Sequence, residues 1–487
     1  MYLGIDLGTS EIKLLLLNRD GVVIATHGER LDISRPHPHW SEQDPEAWWT
    51  ATCKAVQGLA AKEPNAFPRI RAIGLSGQMH GAVLLDDDAR VLRPAILWND
   101  TRSSAECVEM MEQLPALTTI AGNLAMPGFT APKILWVKKH EPKVFERTAK
   151  VLLPKDYLRL RMTGKYVSEM SDAAGTLWLD VGNRDWSDDL LRLTGLTRDA
   201  MPSLVEGSQP SAALDPEVAR NWGLAGDVVV AGGAGDNAAS AVGIGAVKAG
   251  DGFISLGTSG VMFVVTGRFR PNPASAVHAF CHALPERWHQ MTVMLSAASC
   301  LRWVTHLVGE ADESALLAQV ETLPESRQMH APLFLPYLGG ERTPHNDAHA
   351  RGVFFGLDND TDAAALGYAV LEGVAFGMAD GLAALKAAGT ELGGLGLVGG
   401  GGRSSFWAQL HATVLDLPVR ALAGGEAGAA LGAARLGWLA AGGSEQDVCL
   451  PPATTATYDP VIRLQPALIE RYNRFRDLYR ALKPVFP

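Results

Sequence analysis

The sequence predicts an α/β protein of two similarly built domains facing each other. Length is the first reason, since 487 residues exceed what one hydrophobic core usually serves. A repeat is the second. Leu7-Gly8-Thr9-Ser10 follows a strand over Tyr2 to Ile5 and precedes a β-rich run, Ile12 to Leu17. In the other half, Leu256-Gly257-Thr258-Ser259 follows Gly252 to Ser255 and precedes Val261 to Val265. One strand–turn–strand unit per half points to a duplicated architecture. Glycine allows a sharp turn and close approach to an anion, and consecutive backbone N–H groups there can converge on one oxygen. Thr and Ser add hydroxyl donors. One copy would read as a tight hairpin turn. Two copies, the first with Asp6 two positions before Gly8, read as a pair of turns holding a polyphosphate.

Composition removes several function classes. Apolar residues make up 47% and charged residues 20%, the balance of an ordinary globular protein. A net charge of −10 argues against a nucleic-acid partner but leaves local phosphate sites open. The five cysteines form no Cys-x-x-Cys and are expected to be reduced thiols of a cytoplasmic protein. No basic start leads into an apolar run, so no signal peptide is expected. No stretch reads as long enough to span a membrane.

Residues 2 to 33 read as three strands, with Asn18-Arg19-Asp20-Gly21 as a hairpin turn. Asp44 and Pro45 read as N-cap and first helical residue of a helix to about Ala61, with Trp48, Thr52, Val56 and Leu59 on one stripe. Arg71 to Leu75 is a buried-type strand running into Ser76-Gly77-Gln78-Met79-His80-Gly81. Ile96 to Arg102 repeats the pattern of apolar strand and polar turn, with Trp98 at the junction. Polar residues just past such strands are well placed for ligands. Met79 reads equally as core filler, and His80 as a satisfied loop histidine. Helices are expected over Ala131 to Lys139, Lys155 to Met162, Asp188 to Leu193 and Ala238 to Val247. The domain boundary is expected within Gly245 to Gly252, giving domains 1–246 and 247–487. Later come strands near Val277 to His282 and His289 to Leu295, helices over Thr361 to Leu385 and Glu426 to Leu439, and a C-terminal amphipathic surface helix, Ala467 to Leu482.

Asp236 is the sharpest single candidate. Placed after a glycine run and before Asn237 and a helix, it reads either as a group that meets a substrate hydroxyl or as a plain helix N-cap. Gly399 to Ser404, before a helix, suits close approach of a nucleotide to the backbone, or is a tight connection. It is not a dinucleotide fingerprint, no Walker A sequence is present, and the protein-kinase signatures are absent. His278, Cys281 and His282 are not read as a metal site, because a strand sends them to different faces.

Several segments together resemble the FGGY carbohydrate kinases over essentially the whole length. Ile5 to Ser10 is similar to that family's first phosphate motif, Ser255 to Gly260 to its second, and Val398 to Ser404 to its adenosine motif. Gly128-x-Thr130-x-x-Lys133 and Gly352-x-Phe354-x-Gly356-Leu357 resemble its two signatures, with Ala365 where a polar residue is usual. The resemblance implies two ribonuclease H-like domains of the actin and sugar-kinase ATPase type around a deep cleft. It implies ATP and Mg²⁺ as cofactors and a small-molecule sugar as the partner, with neither nucleic acid nor membrane, and it leaves a homodimer open. Gln78 to Gly81, Trp98 to Asp100 and Gly340 to His345 resemble the members that phosphorylate D-xylulose to D-xylulose 5-phosphate. The same resemblance implies Asp236 as catalytic base and metal neighbour, and Asp6 as the second essential carboxylate near metal and phosphates. Gln78, Met79, His80, Trp98, Asp236 and Asn237 are then the sugar contacts. Gly8, Thr9, Ser10, Lys13, Gly257, Thr258, Ser259, Gly400, Gly401, Gly402, Arg403 and Ser404 are the ATP contacts. The rivals are a kinase for L-ribulose or glycerol, an actin- or Hsp70-like ATPase, and a silent sugar sensor, against which the intact Asp6 and Asp236 argue.

Overall fold

The computed structural model describes residues 1–423 and 428–487. Its N-terminal sheet is built on the strands Tyr2–Leu7, Glu11–Leu17 and Val23–Arg30, which run antiparallel in sequence. Ala72–Gly77 joins the free side of Tyr2–Leu7 in parallel, and Val229–Ala231 joins Ala72–Gly77 in the same sense. The second half repeats this. Gly252–Leu256, Gly260–Thr266 and Trp288–Met294 run antiparallel, and Leu395–Val398 then Val419–Leu422 add in parallel. The spatial order is third, second, first, fourth, fifth in both sheets. Two ribonuclease H-like domains are therefore present, as expected.

The leucine run Leu14 to Leu17 shows why the first sheet is central. Leu14 and Leu16 pack into one core with Trp48, Val56 and Leu59 of the helix Pro45–Lys62. Leu15 and Leu17 point the other way, onto Ala430 and Ala434. A sheet covered on both faces needs such a continuous apolar strand. The expected N-cap is in place, with the Asp44 carboxylate accepting from the amide of Glu46 at 3.0 Å.

Two helices of small residues lie against one another beside this sheet, Asp236–Gly243 and Gly428–Ala440. A Cβ on Gly432 would overlap the carbonyl of Ala239, and one on Gly243 would lie 2.5 Å from the carbonyl oxygen of Gly428. Gly4 and Gly74 of the sheet press equally closely on the carbonyls of Ala430 and Ala433. The second of these helices belongs to the later half of the sequence yet packs on the first half's sheet. Its expected start at Glu426 lies outside the described residues. The other helix begins and ends earlier than the expected Ala238 to Val247, stopping where Gly245 adopts φ +73°.

The helix Ala363–Ala387 is long and apolar enough to cross a membrane by length and composition, contrary to the sequence reading, but it is the buried spine of the C-terminal core. The C-terminal helix, Gln465–Leu482, is more than a surface cover. Its Arg471 is buried and pairs with Glu372 of that spine at 2.6 Å, and Phe475 sits in the core.

Candidate active site

Strand register brings the two carboxylates together. Asp6 is opposite Ser76 of the parallel neighbour, and Ser76 is opposite Ala234. Two residues on, Asp236 opens its helix. The N-cap of that helix is Gly235, so Asp236 is the first helical residue and not the cap. One of its carboxylate oxygens, Oδ1, accepts from the Asn237 amide at 2.7 Å and from Asn237 Nδ2 at 2.9 Å. Burial and then the charge of Asp6 push Asp236 up to about 6. Burial raises Asp6 to about 6 as well, against the pull of Lys13, which sits directly across the strand pair.

The turn after Asp6 is held by a chain of amides. Thr9 donates its hydroxyl proton to Gln78 Oε1 at 3.0 Å and accepts from the Trp98 indole at 3.0 Å. Gln78 Nε2 donates to Gln43 Oε1 at 3.0 Å. Gln43 Nε2 in turn donates to the carbonyls of Thr9, at 2.7 Å, and Asp32, while its Oε1 also accepts from Trp48. Gln43 is buried and was missed in the sequence; the two-residue strand that carries it gives no periodic signal. Trp98 leaves 48% of its surface exposed beside Thr9, and Gln78 is buried. Gln78 and Trp98 thus meet Thr9 rather than Asp236.

His80 stands at φ +69° beyond its strand. Its Nδ1 lies 2.6 Å from the carbonyl oxygen of Gly175, an acceptor only, so Nδ1 carries the proton and Nε2 is left as an acceptor. Burial, with the charge of Lys133, lowers its pKa to about 3, so the imidazole is neutral. The Thr130 hydroxyl and Lys133 Nζ both donate to the His80 carbonyl, at 3.1 and 2.9 Å. The first signature thereby pins the histidine's backbone. Met79 is buried as a wedge: a Cβ on Gly175 or on Gly235 would meet it at 2.8 and 2.9 Å. Phe129 stacks edge-on against His80 with centroids 4.8 Å apart, and against His278 of the C-terminal sheet at 5.6 Å. Asn123 binds His278 Nδ1 at 3.0 Å and the Ala279 amide at 3.2 Å. No cluster of metal ligands forms around His278, Cys281 and His282, or elsewhere among the described residues.

The two Gly-Thr-Ser turns occupy the same position in the two sheets, between first and second strands. Among the described residues the amides of Thr9, Ser10, Thr258 and Ser259 donate to no backbone carbonyl. The carbonyls of Gly257 and Thr258 are taken by the amides of Ala298 and Ala297, each at 2.9 Å. Gly399 adopts φ +89°, and a Cβ there would lie 2.8 Å from the carbonyl of Leu256, so the glycine run lies against the second turn's strand. Gly400 to Arg403 form a 3₁₀ turn, and Ser404 caps the helix Ser405–Leu415 by accepting from Trp407. A divalent cation fits the carboxylate pair: Asp6 Oδ1 is buried with no protein hydrogen bond. Magnesium takes one or two protein carboxylates and completes its shell with phosphate and water.

A sheet repeated in order and sense, with a pair of neighbouring carboxylates between strand ends, defines the actin-like class of two-domain phosphotransferases. The chain belongs to the FGGY family of carbohydrate kinases, whose N-terminal domain matches residues 1–243 and C-terminal domain residues 252–441. It is 52% identical to the xylulose kinase of Escherichia coli strain K12 over 488 residues, covering all of both chains. It is 54% identical to the xylulose kinase of Klebsiella pneumoniae over 90% of each. The crystal structure of a "xyloylose kinase" from Brucella ovis superposes with a TM-score of 0.96 at 53% identity, over 99% of each chain.

Proposed function

We propose that the chain transfers the γ-phosphoryl group of ATP to the hydroxyl on carbon five of D-xylulose, giving D-xylulose 5-phosphate for xylose catabolism in the cytoplasm. End-to-end similarity to xylulose kinases supports the substrate. The single observation that supports the mechanism is the state of Asp236. Asn237 occupies only Oδ1, and a pKa near 6 leaves the carboxylate ionised at neutral pH yet basic enough to take a proton.

In this reading Asp236 Oδ2 accepts the proton of the terminal hydroxyl as that oxygen attacks the γ-phosphorus and ADP leaves. His80 Nε2 accepts a hydrogen bond from a sugar hydroxyl, and Asn237 holds the base in orientation. The amides of Thr9, Ser10, Thr258 and Ser259, with Lys13, bind phosphate oxygens. Gly400 to Ser404 line the adenosine side. Thr9 already donates its proton to Gln78, so its contribution is the turn's backbone. Positioning and electrostatics carry most of such a transfer. Mg²⁺, held by Asp6 with Asp236 beside it, would neutralise charge on the phosphates. The domains 1–246 and 247–487 then supply sugar and nucleotide sides respectively.

The test is ADP release with Mg-ATP against D-xylulose, L-ribulose, glycerol and no acceptor. Turnover with D-xylulose above the other three is expected. Preference for another acceptor would overturn the substrate, and equal release in every tube would overturn the kinase.

A further inference from the structure

The helix Met170–Ala174 has one end on each half of the site. At its start, the Ser171 hydroxyl accepts from the amide of Gly235 at 3.1 Å, one residue before the base. At its end, the carbonyl of Gly175 takes the Nδ1 proton of His80 at 2.6 Å. Met79 fills the space between Gly175 and Gly235.

This helix is fixed from behind. Glu169 caps it, accepting from the amides of Ser171 and Asp172 at 2.7 and 2.9 Å and from the Ser171 hydroxyl at 2.8 Å. Lys155 Nζ lies 3.3 Å from Glu169, 3.0 Å from Asp172 and 2.8 Å from Asp156. Arg159 pairs with Asp156 and donates to the carbonyl of Gly232 at 2.5 Å, gripping the base's loop from its other side. These ions are wholly or almost wholly buried. Burial pushes the Asp172 carboxyl up, against the pull of Lys155. A buried ion cluster is costly to break, because removing one member strands another charge.

We propose that this helix is a rigid bridge setting the separation between Asp236 and the His80 imidazole, with Ser171 the positioning residue for Asp236 and Gly175 the positioning residue for His80. The proposal rests on Asp236 as base and His80 as sugar ligand. Ser171 and Gly175 are uncharged, so neither substitution removes an ion of the cluster, and Ser171→Thr retains the hydroxyl that Glu169 accepts from at 2.8 Å. Gly175 has φ −77°, which alanine also adopts, but a Cβ there would lie 2.7 Å from the imidazole.

The experiment is steady-state kinetics of the full chain carrying Ser171→Ala, Ser171→Thr, Gly175→Ala or Asp236→Asn, each checked for fold by circular dichroism. Ser171→Ala is expected to lower kcat and kcat/KM together by about tenfold, the mark of an interaction realised only in the transition state. Gly175→Ala is expected to raise the KM for D-xylulose by about tenfold with kcat within about threefold, because ground-state and transition-state binding are lost alike. Ser171→Thr keeps the hydroxyl and should recover most of the rate. Wild-type kcat in Ser171→Ala, or both variants moving the same parameter, would overturn the bridge. Should Ser171→Ala not fold, Gly175→Ala decides alone, with an unchanged sugar KM counting against it. Full activity in Asp236→Asn would instead remove the base assignment beneath it.

Discussion

Gln43 and Gln78 meet side chain to side chain at 3.0 Å, and between them they clasp Thr9 by both its hydroxyl and its carbonyl. Gln43→Ala strands the buried indole of Trp48 and the amide of Gln78. Each unsatisfied buried polar group costs about 1–3 kcal/mol. A Tm lower by roughly 5 °C is expected, together with a raised KM for ATP as the first phosphate turn loosens. Calorimetry and ATP titration check both, and an unchanged ATP KM would separate the amide chain from the turn's function.

Asp236→Ala should lose at least ~10²-fold in kcat, the scale of general-base removal, while circular dichroism remains native. Wild-type turnover in that variant would refute the assignment.

For the intact enzyme, kcat/KM should rise with pH through a limb near 6 rather than near 4, because burial and Asp6 hold the free carboxyl of Asp236 at that value. A pH–rate profile measures it, since kcat/KM reports groups of the free enzyme.

Asp6 contributes stability with a defined sign. Its folded pKa of about 6 lies above the ordinary 3.8, so its protonated form suits the fold. That stability is complete below about pH 4 and is lost as pH rises through 6. Asp6→Asn should therefore be more stable than wild type by about 1–3 kcal/mol at pH 8, and no more stable at pH 4, while phosphoryl transfer falls. Denaturant melts at the two pH values decide the point. A difference that grows toward acid would show the opposite linkage.

His80→Ala should raise the sugar KM more than the ATP KM. In the wild type, the sugar KM should carry no step from imidazole titration between pH 5 and 8, because the ring stays neutral down to about 3. A step near pH 6.5 would mean an imidazole that gains a proton in that range.

Much of the fold was legible because it rests on local patterns. The Leu-Gly-Thr-Ser repeat marked the first hairpin of both sheets, and the stripe of Trp48, Thr52, Val56 and Leu59 is the buried face of its helix. Asp6 and Asp236 were legible as motif residues, but their nearness is a matter of register across Ser76 and Ala234, which no local pattern records. Gln43, Ser171 and Gly175 were missed for the same reason: the residues that tie them to the site, Thr9, Gly235 and His80, lie 34 to 95 residues away. The expectation that no stretch is long enough to span a membrane does not hold for Ala363–Ala387 by length and composition, and it is tertiary packing that buries this helix in the core. The N-cap reading of Asp236 failed by one residue, because Gly235 takes the extended cap conformation.

The crossing of Asp236–Gly243 over Gly428–Ala440 bears on how the sequence tolerates change. At Gly432, Gly243, Gly4 and Gly74 even a methyl group meets backbone, which cannot swing aside as a side chain can. A saturation-mutagenesis map of this enzyme should therefore show its most intolerant stripe at chemically silent positions, distant in sequence and joined only by contact. Redesign of this protein therefore has to leave these glycines alone, since their neighbours are backbone that has nowhere to go.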